Sequence, residues 1–176
     1  MDDEILDEEW SIMYQESEHV KVLDSNTFKK AVKTIKVRKP IVVNVGKTVK
    51  NAVELMQQKL LGCVLVVKEG KLAGILTERD VLMKSVGSGK DMAKVKVEEI
   101  MTPDPETFQP VDSVAYVLNA MSVGGYRHVP IVDEQNHPLA VVSSKDIVSF
   151  IVEHFPEEVL NLPPRPMRRT DEVDGG

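Results

Sequence analysis

Hydrophobic and polar residues follow an order along this chain that predicts the same set of elements twice. The first set is a β-branched strand at 41–45, a helix from Thr48 to Lys59, apolar strands at 64–67 and 72–76, and a helix from Thr77 to Lys84. The second set is predicted at 106–109, 113–122, 128–132, 139–142 and 143–155. The periodicity therefore indicates one β-α-β-β-α unit that occurs twice.

The two sets are also similar residue by residue. Residues 74–80, Gly-Ile-Leu-Thr-Glu-Arg-Asp, recur 66 positions later as residues 140–146, Ala-Val-Val-Ser-Ser-Lys-Asp. Upstream matches, such as Met56 with Met121, are offset by 65, so one residue is inserted in the polar turn between the two segments. An internal repeat of this kind determines the architecture of a fold.

Each unit of about 60 residues buries too little apolar surface to fold stably alone. We therefore expect an α/β (α+β) fold in which two β-α-β-β-α repeats pack with pseudo-twofold symmetry and share a core. The predicted organisation is an acidic N-terminal arm at 1–24, a first repeat at 25–93, a second repeat at 94–156 and a Pro-rich C-terminal tail at 157–176. In the arm, Leu6, Trp10 and Met13 fall on one helical face, which would dock either on this chain or on a partner chain.

Composition is that of a folded protein in a reducing compartment. The chain is 42% hydrophobic and 28% charged, and neither a signal peptide nor an apolar run that could span a bilayer is evident. With Cys63 as the lone cysteine, we expect a cytoplasmic location without membrane insertion. Four scattered histidines and one cysteine form no metal-ligand cluster.

The net charge of −6 is unevenly distributed along the chain. Residues 1–20 hold eight acids and no Lys or Arg, whereas basic residues are concentrated at 29–39. The basic stretch is interpreted as a solvated helix face rather than a nucleic-acid contact, because aromatic residues make up only 5% of the chain.

The motif Thr/Ser-x-x-Asp, where a strand ends and a helix begins, is the candidate binding feature. A single copy would be expected only to cap a helix. Two copies at matched spacing, Thr77 with Asp80 and Ser143 with Asp146, favour a ligand site. A helix N-terminus attracts anions, and a carboxylate beside it suits the adjacent hydroxyls of a ribose. The pattern therefore favours a nucleoside, with its ribose hydroxyls on Asp80 or Asp146.

Phosphate groups on such a ligand need cations. Arg127 and His128 lie just before a predicted strand and offer a rigid fork and a donor that titrates near neutrality. A base also directly precedes each aspartate, and these two further candidate phosphate contacts are Arg79 and Lys145. The alternative is that His128 packs beneath the sheet while Arg127 is solvated. The equivalent place in the first repeat is Gly62-Cys63, without charge, so the two predicted pockets differ chemically.

These residues resemble the cystathionine β-synthase (CBS) domain, and the pair resembles a Bateman module, over about residues 25–156. The resemblance rests on Glu-Ile-Met-Thr-Pro at 99–103, on Tyr-Arg-His-Val-Pro-Ile-Val-Asp at 126–133 and on residues 74–80. It implies two clefts for adenosine-containing ligands such as AMP, ADP, ATP or S-adenosylmethionine, dimerisation into a flat disc, and regulation of an enzyme, channel or transporter.

The resemblance also implies roles for individual residues. By position, Thr77 and Asp80 match the ribose-binding residues of the first repeat, and Ser143 and Asp146 match those of the second. Arg127 and His128 match the phosphate-contacting pair. Ala140 departs from the usual glycine, which adds a methyl group where the ligand or a helix approaches closely.

Several functions remain open on the sequence alone. The first is an adenine-nucleotide sensor, a homodimer, that acts on an effector protein in trans. The second is a ligand-independent dimerisation or scaffold protein, in which Thr77 and Ser143 only cap helices. A nucleic-acid binder that uses residues 29–39 ranks below these. An enzyme is not expected, because no Ser-His-Asp set, acid pair, metal cluster or P-loop lysine motif is evident and no cofactor is implied as catalyst.

Overall fold

The computed structural model describes residues 25–37 and 39–154. The predictions for the acidic arm and the Pro-rich tail lie outside these residues. Both predicted sets of elements are present except for the strand expected at 106–109, and the protein is an α/β fold of two repeats. In the first repeat the elements are α1 (Ser25–Lys29), β1 (Val42–Asn44), α2 (Val49–Lys59), β2 (Cys63–Lys68), β3 (Lys71–Thr77) and α3 (Glu78–Asp80). In the second they are β4 (Thr102–Pro103), α4 (Val114–Gly124), β5 (His128–Val132), β6 (Pro138–Ser143) and α5 (Ser144–His154).

Two predicted elements need correction. The strand expected at 106–109 does not form, and only Phe108 makes a parallel bridge to Ile131. Pro105 and Pro110 flank this stretch and lack the N–H groups that a longer ladder needs. The helix expected from Thr77 to Lys84 does form, but after α3 it continues as a π-helical turn over Val81–Ser85 and a 3-10 turn over Val86–Ser88.

The strands form a four-stranded and a two-stranded sheet, and both contain the equivalent antiparallel pair. β1 is parallel to β2, β2 is antiparallel to β3, and β3 is antiparallel to the short β4. β5 is antiparallel to β6 in a sheet of their own. The register shifts between Val66 and Val67 in β2 and between Ile131 and Val132 in β5, which are equivalent positions of the two repeats. The pseudo-twofold relation therefore extends to the irregularities of the strands.

Each repeat has its own apolar core, and a third cluster joins the two. The joining cluster consists of Cys63, Leu65, Leu72, Ile75 and Val132. Four of these residues belong to the first repeat and Val132 to the second, so the shared core that the sequence predicted is limited to this joining cluster.

The segments that lead into the repeats are exchanged between the two cores. The first of these segments, with Val32 and Ile35, precedes β1 of the first repeat but is buried in the core of the second. Conversely, the second segment, with Val97 and Ile100, precedes β4 of the second repeat but is buried in the core of the first. Backbone hydrogen bonds fix the exchange, for example the 2.7 Å bond from the Val32 N–H to the Asp112 carbonyl. The repeats are therefore interlocked, and the second lead-in continues into β4, which completes the first sheet.

Within residues 25–37 and 39–154, every helix is too short or too polar to cross a membrane.

Candidate functional site

A cavity of about 260 Å³ lies between the repeats, beside the end of β3. One wall belongs to the first repeat and the other to the second repeat and its lead-in. The first wall consists of Gly62, Ile75, Thr77, Glu78, Arg79 and Asp80. The second consists of Thr102, Pro105, Glu106, Gly125, Tyr126, Arg127 and His128. The cavity thus brings together the first Thr/Ser-x-x-Asp motif and the pair Arg127 and His128, which are distant in sequence.

Thr77 and Asp80 hold each other in a capping box. The Asp80 Oδ2 accepts hydrogen bonds from the Thr77 N–H at 3.0 Å and from its hydroxyl at 2.6 Å, while the Asp80 N–H donates to the Thr77 Oγ1 at 3.2 Å. Lys84 forms an ion pair of 2.6 Å with the other carboxylate oxygen. The capping interpretation is therefore realised at this motif, and the carboxylate also faces a cavity.

Asp80 is ionised despite being only 8% exposed. Burial alone raises its pKa, but hydrogen bonds from Lys84 and from the side chain and backbone of Thr77, with the positive charge of Lys84, outweigh burial and lower it. An ionised carboxylate accepts hydrogen bonds only, and ribose hydroxyls are donors that it can bind.

The second motif has the same local geometry at a different place. The Asp146 Oδ2 accepts hydrogen bonds from the Ser143 N–H at 2.7 Å and from its hydroxyl at 2.6 Å. Among the residues that the structure describes, the other carboxylate oxygen of Asp146 receives no hydrogen bond. Ser143, Lys145 and Asp146 do not line the 260 Å³ cavity. The two motifs therefore belong to separate sites.

Three of the four predicted cations lie in the cavity: Arg79, Arg127 and His128. Two of the backbone N–H groups at the start of α3 are already occupied, since Glu78 donates to the Gly62 carbonyl at 3.1 Å and Asp80 donates to the Thr77 Oγ1. An anionic ligand group would therefore depend on the side-chain cations more than on the helix N-terminus.

His128 is half-buried and lies against the first repeat. A methyl group built on Gly62 would lie 3.3 Å from the His128 Cε1 and 3.5 Å from the Glu78 Oε2, so glycine leaves room for the imidazole. Burial lowers the pKa of His128, and the charge of Arg127 lowers it further, against the opposing charges of Glu78 and Asp146. The ring is therefore neutral near pH 7. It lines the cavity rather than being hidden beneath the sheet, and Arg127 beside it is exposed.

The sequence interpretation missed an acidic component of the cavity. The Tyr126 hydroxyl donates a short hydrogen bond to the Glu106 carboxylate. Burial and the neighbouring Glu106 raise the pKa of Tyr126 to about 12, so the hydroxyl keeps its proton. Tyr126 directly precedes the predicted cations, which is a weak signal in the sequence. Nothing local marks Glu106 or Glu78, since their place depends on how the repeats pack.

No group of three or more His, Cys, Asp or Glu side chains within the described residues is arranged to hold a metal ion.

Comparisons with known proteins agree with this architecture. The family model of the CBS domain matches residues 32–87 and again 97–153. The mitochondrial CBS domain-containing protein CBSX3 of Arabidopsis thaliana is 35% identical over 120 residues, which cover 65% of this chain and 58% of CBSX3. CBSCBSPB5 of the same plant is 30% identical over 125 residues, 70% of this chain and 23% of its own length. The chain thus spans less than two thirds of these relatives.

A solved structure shares the fold. The CBS domain pair of protein MJ0100, crystallised with 5′-methylthioadenosine and S-adenosyl-L-methionine, aligns with a TM-score of 0.65 and 28% identity. The alignment covers 71% of this chain and 98% of that chain. Two family matches within one polypeptide and an alignment along the whole of a solved domain pair place the protein in the CBS domain family, as a tandem pair or Bateman module.

Proposed function

We propose that the protein is a regulatory module that binds an adenosine-containing ligand in the 260 Å³ cavity and passes the ligand state to an effector protein in trans. One observation carries the proposal: a buried, ionised carboxylate from the first repeat faces the same cavity as the Arg127 guanidinium and the neutral His128 ring of the second. A ligand that bridges them must offer hydroxyl donors at one end and an electron-rich or anionic group at the other. A nucleoside with a 5′ substituent has both.

The ribose would lie against Thr77 and Asp80. Two adjacent hydroxyls can donate to one carboxylate, which is the way acidic residues bind ribose in dinucleotide sites. Ile75 and Pro105 provide apolar surface in the same cavity, suited to the faces of an adenine ring. The 5′ substituent would then point toward Arg127 and His128.

The charges of the cavity limit what this substituent can be. Three carboxylates line it against two guanidinium groups, with His128 neutral near pH 7. The carboxylates are Glu78, Asp80 and Glu106, and the guanidinium groups are those of Arg79 and Arg127. This balance gives a polyphosphate no net attraction. We therefore expect AMP, 5′-methylthioadenosine or S-adenosylmethionine to bind more tightly than ATP. The ligands of the MJ0100 domain pair support an adenosyl compound of low negative charge.

The second motif would form a weaker site. Asp146 has an unoccupied carboxylate oxygen among the described residues, but the residues equivalent to Arg127 and His128 are Gly62 and Cys63. Burial raises the pKa of Cys63 to about 12, so it supplies no charge. Lys145 is the remaining candidate cation. We expect this site to prefer an uncharged adenosine compound.

Communication with a partner requires an exposed surface, and the helix that begins at Thr77 provides one. Leu82, Met83 and Val86 are 60%, 65% and 54% exposed on the helical turns that follow Asp80. Large apolar side chains so exposed suit a protein contact. We propose that they take part in homodimerisation or in effector binding, in the cytoplasm. The same observation favours the alternative function, a ligand-independent scaffold.

Isothermal titration calorimetry distinguishes the two functions. We expect wild-type protein to bind AMP, 5′-methylthioadenosine and S-adenosylmethionine, with ATP weaker. Asp80→Asn should weaken binding about ten- to hundredfold, as expected for loss of hydrogen bonds to a charged group. Asp146→Asn is the matched control, since it removes the same capping charge outside the cavity. If no adenosine compound binds to the wild-type protein, the ligand-independent scaffold is the remaining function of the two. Equal effects of the two substitutions on the tighter site would contradict the assignment of Asp80.

A further inference from the structure

One side chain contacts the proposed ribose carboxylate from outside the cavity. The Lys84 Nζ lies 2.6 Å from the Asp80 Oδ1 and also donates a hydrogen bond of 3.0 Å to the Ile100 carbonyl. Asp80 lines the cavity, whereas Lys84 is not among the lining residues. Lys84 therefore approaches the carboxylate from a side that leaves the cavity open to a ligand.

The contact to Ile100 links Lys84 to the opposite wall of the cavity. Ile100 is 2% exposed in the core of the first repeat, and Thr102, two positions further along the chain, lines the cavity. Through these two bonds, the Asp80 carboxylate is tied to the segment that carries the second wall. A displacement of either wall would disturb the orientation of the carboxylate.

The local helix is irregular at this point. Lys84 lies in the π-helical turn Val81–Ser85, whereas α5 in the second repeat is a regular helix. The residue equivalent to Lys84 is Phe150, which is 3% exposed in the core of its repeat. In the π-turn Ser85 is fully buried instead, and its hydroxyl has no hydrogen-bond partner among the described residues. Buried hydroxyls without partners are rare, and π-turns occur frequently at functional sites.

The acceptor positions of the Asp80 carboxylate indicate how Lys84 affects the binding of a ligand. A carboxylate offers about four acceptor positions. The Thr77 N–H and hydroxyl occupy two on Oδ2, and Lys84 occupies one on Oδ1. The Thr77 hydroxyl can rotate its proton away, whereas Lys84 is held by Ile100. One position on each oxygen then becomes available, side by side, as the two adjacent hydroxyls of a ribose require.

We propose that Lys84 is a positioning residue of the adenosine cleft: it fixes the plane of the Asp80 carboxylate so that one acceptor position on each oxygen faces the ribose diol. The inference depends on the proposed function. Asp146 has no such residue, because Phe150 stands at the equivalent place. The first site should therefore discriminate more strongly than the second between ligands with and without the ribose diol.

The test compares adenosine with 2′,3′-dideoxyadenosine, which lacks the diol, by calorimetry on four proteins. For wild type, adenosine should bind about ten- to hundredfold more tightly. In Lys84→Met this ratio should fall below about threefold, the size of a weak residual preference, with the affinity for dideoxyadenosine unchanged because Lys84 lies outside the cavity. Lys84→Arg should restore most of the ratio. Lys90→Met, at an exposed lysine beyond the helix, should match wild type.

The outcomes separate this inference from the proposed function. A purely structural role would lower both affinities together or neither, and either result in a folded Lys84→Met protein would overturn the positioning role while leaving adenosine binding in place. Far-ultraviolet circular dichroism establishes that the variant is folded, and Lys84→Leu, which also lacks a donor, serves if the methionine variant is not. Absence of adenosine binding to wild type would overturn the proposed function and this inference with it.

Discussion

Replacement of Gly74 by alanine should displace β4 from β3 and damage the cleft. Gly74 is buried in β3, opposite Pro103 of β4. A Cβ at this position would overlap the Met101 Sδ and would lie 2.8 Å from the Thr102 carbonyl oxygen, which is also inside van der Waals contact. The requirement for glycine here is one of space, since its backbone is not in the left-handed region.

The loss of stability in Gly74→Ala depends on which of the neighbouring groups can move away from the added methyl group. Met101 has a flexible side chain and can turn aside, but the Thr102 oxygen belongs to the backbone and moves only if β4 moves. Overpacking of this kind costs about 1–3 kcal/mol. For a chain of this size each kcal/mol lowers the melting temperature by about 2–4 °C, so the expected decrease is about 2–12 °C. Because Thr102 lines the cavity, the affinity for adenosine ligands should fall as well.

The second repeat supplies the control. Ala140 occupies the position equivalent to Gly74, and within the described residues β6 has no further strand beside it, which is why a methyl group is accepted there. Ala140→Gly should cost only about 0.5–1 kcal/mol, from the greater freedom of the unfolded chain. Thermal unfolding and calorimetry are measured on both variants. If Gly74→Ala has the melting temperature and ligand affinity of the wild type, the inference that β4 packs too closely on Gly74 to admit a methyl group is wrong.

Other predictions concern charge and pH. Arg127→Ala should weaken AMP binding about tenfold while leaving adenosine nearly unchanged in calorimetry, and equal losses would remove Arg127 from the phosphate role. His128 is held neutral by a lowered pKa, so the folded state binds fewer protons than the unfolded state as the pH falls below about 6.5. Its contribution to stability is present at neutral pH and lost on acidification. Urea unfolding should show a larger loss between pH 7 and 5.5 in wild type than in His128→Gln, and parallel curves would contradict this.

The features that the sequence predicted are those decided locally. The order of elements follows from apolar periodicity, and the caps at Thr77 and Ser143 need only residues three positions away. The match to CBS domains confirmed the fold class. Glu106 and Lys84 act through partners distant in the chain, Tyr126 and Ile100, which no local pattern reveals. The exchanged lead-in segments escaped prediction for the same reason, because β-branched residues suit either core.

Because the lead-in segments are exchanged, the proposed ligand would affect the structure beyond the cleft in which it binds. Thr102, Pro105 and Glu106 line the cavity directly after a segment buried in the core of the first repeat, whereas Arg127 and His128 are anchored in the second repeat. A ligand between the walls would therefore contact both repeats and the connection between them. The ribose of the proposed ligand would contact Asp80, at the start of the helix whose later turns expose apolar side chains. The cavity and the exposed apolar face are thus connected through the same helix. A module that acts on a partner in trans requires such a coupling between its ligand site and its contact surface.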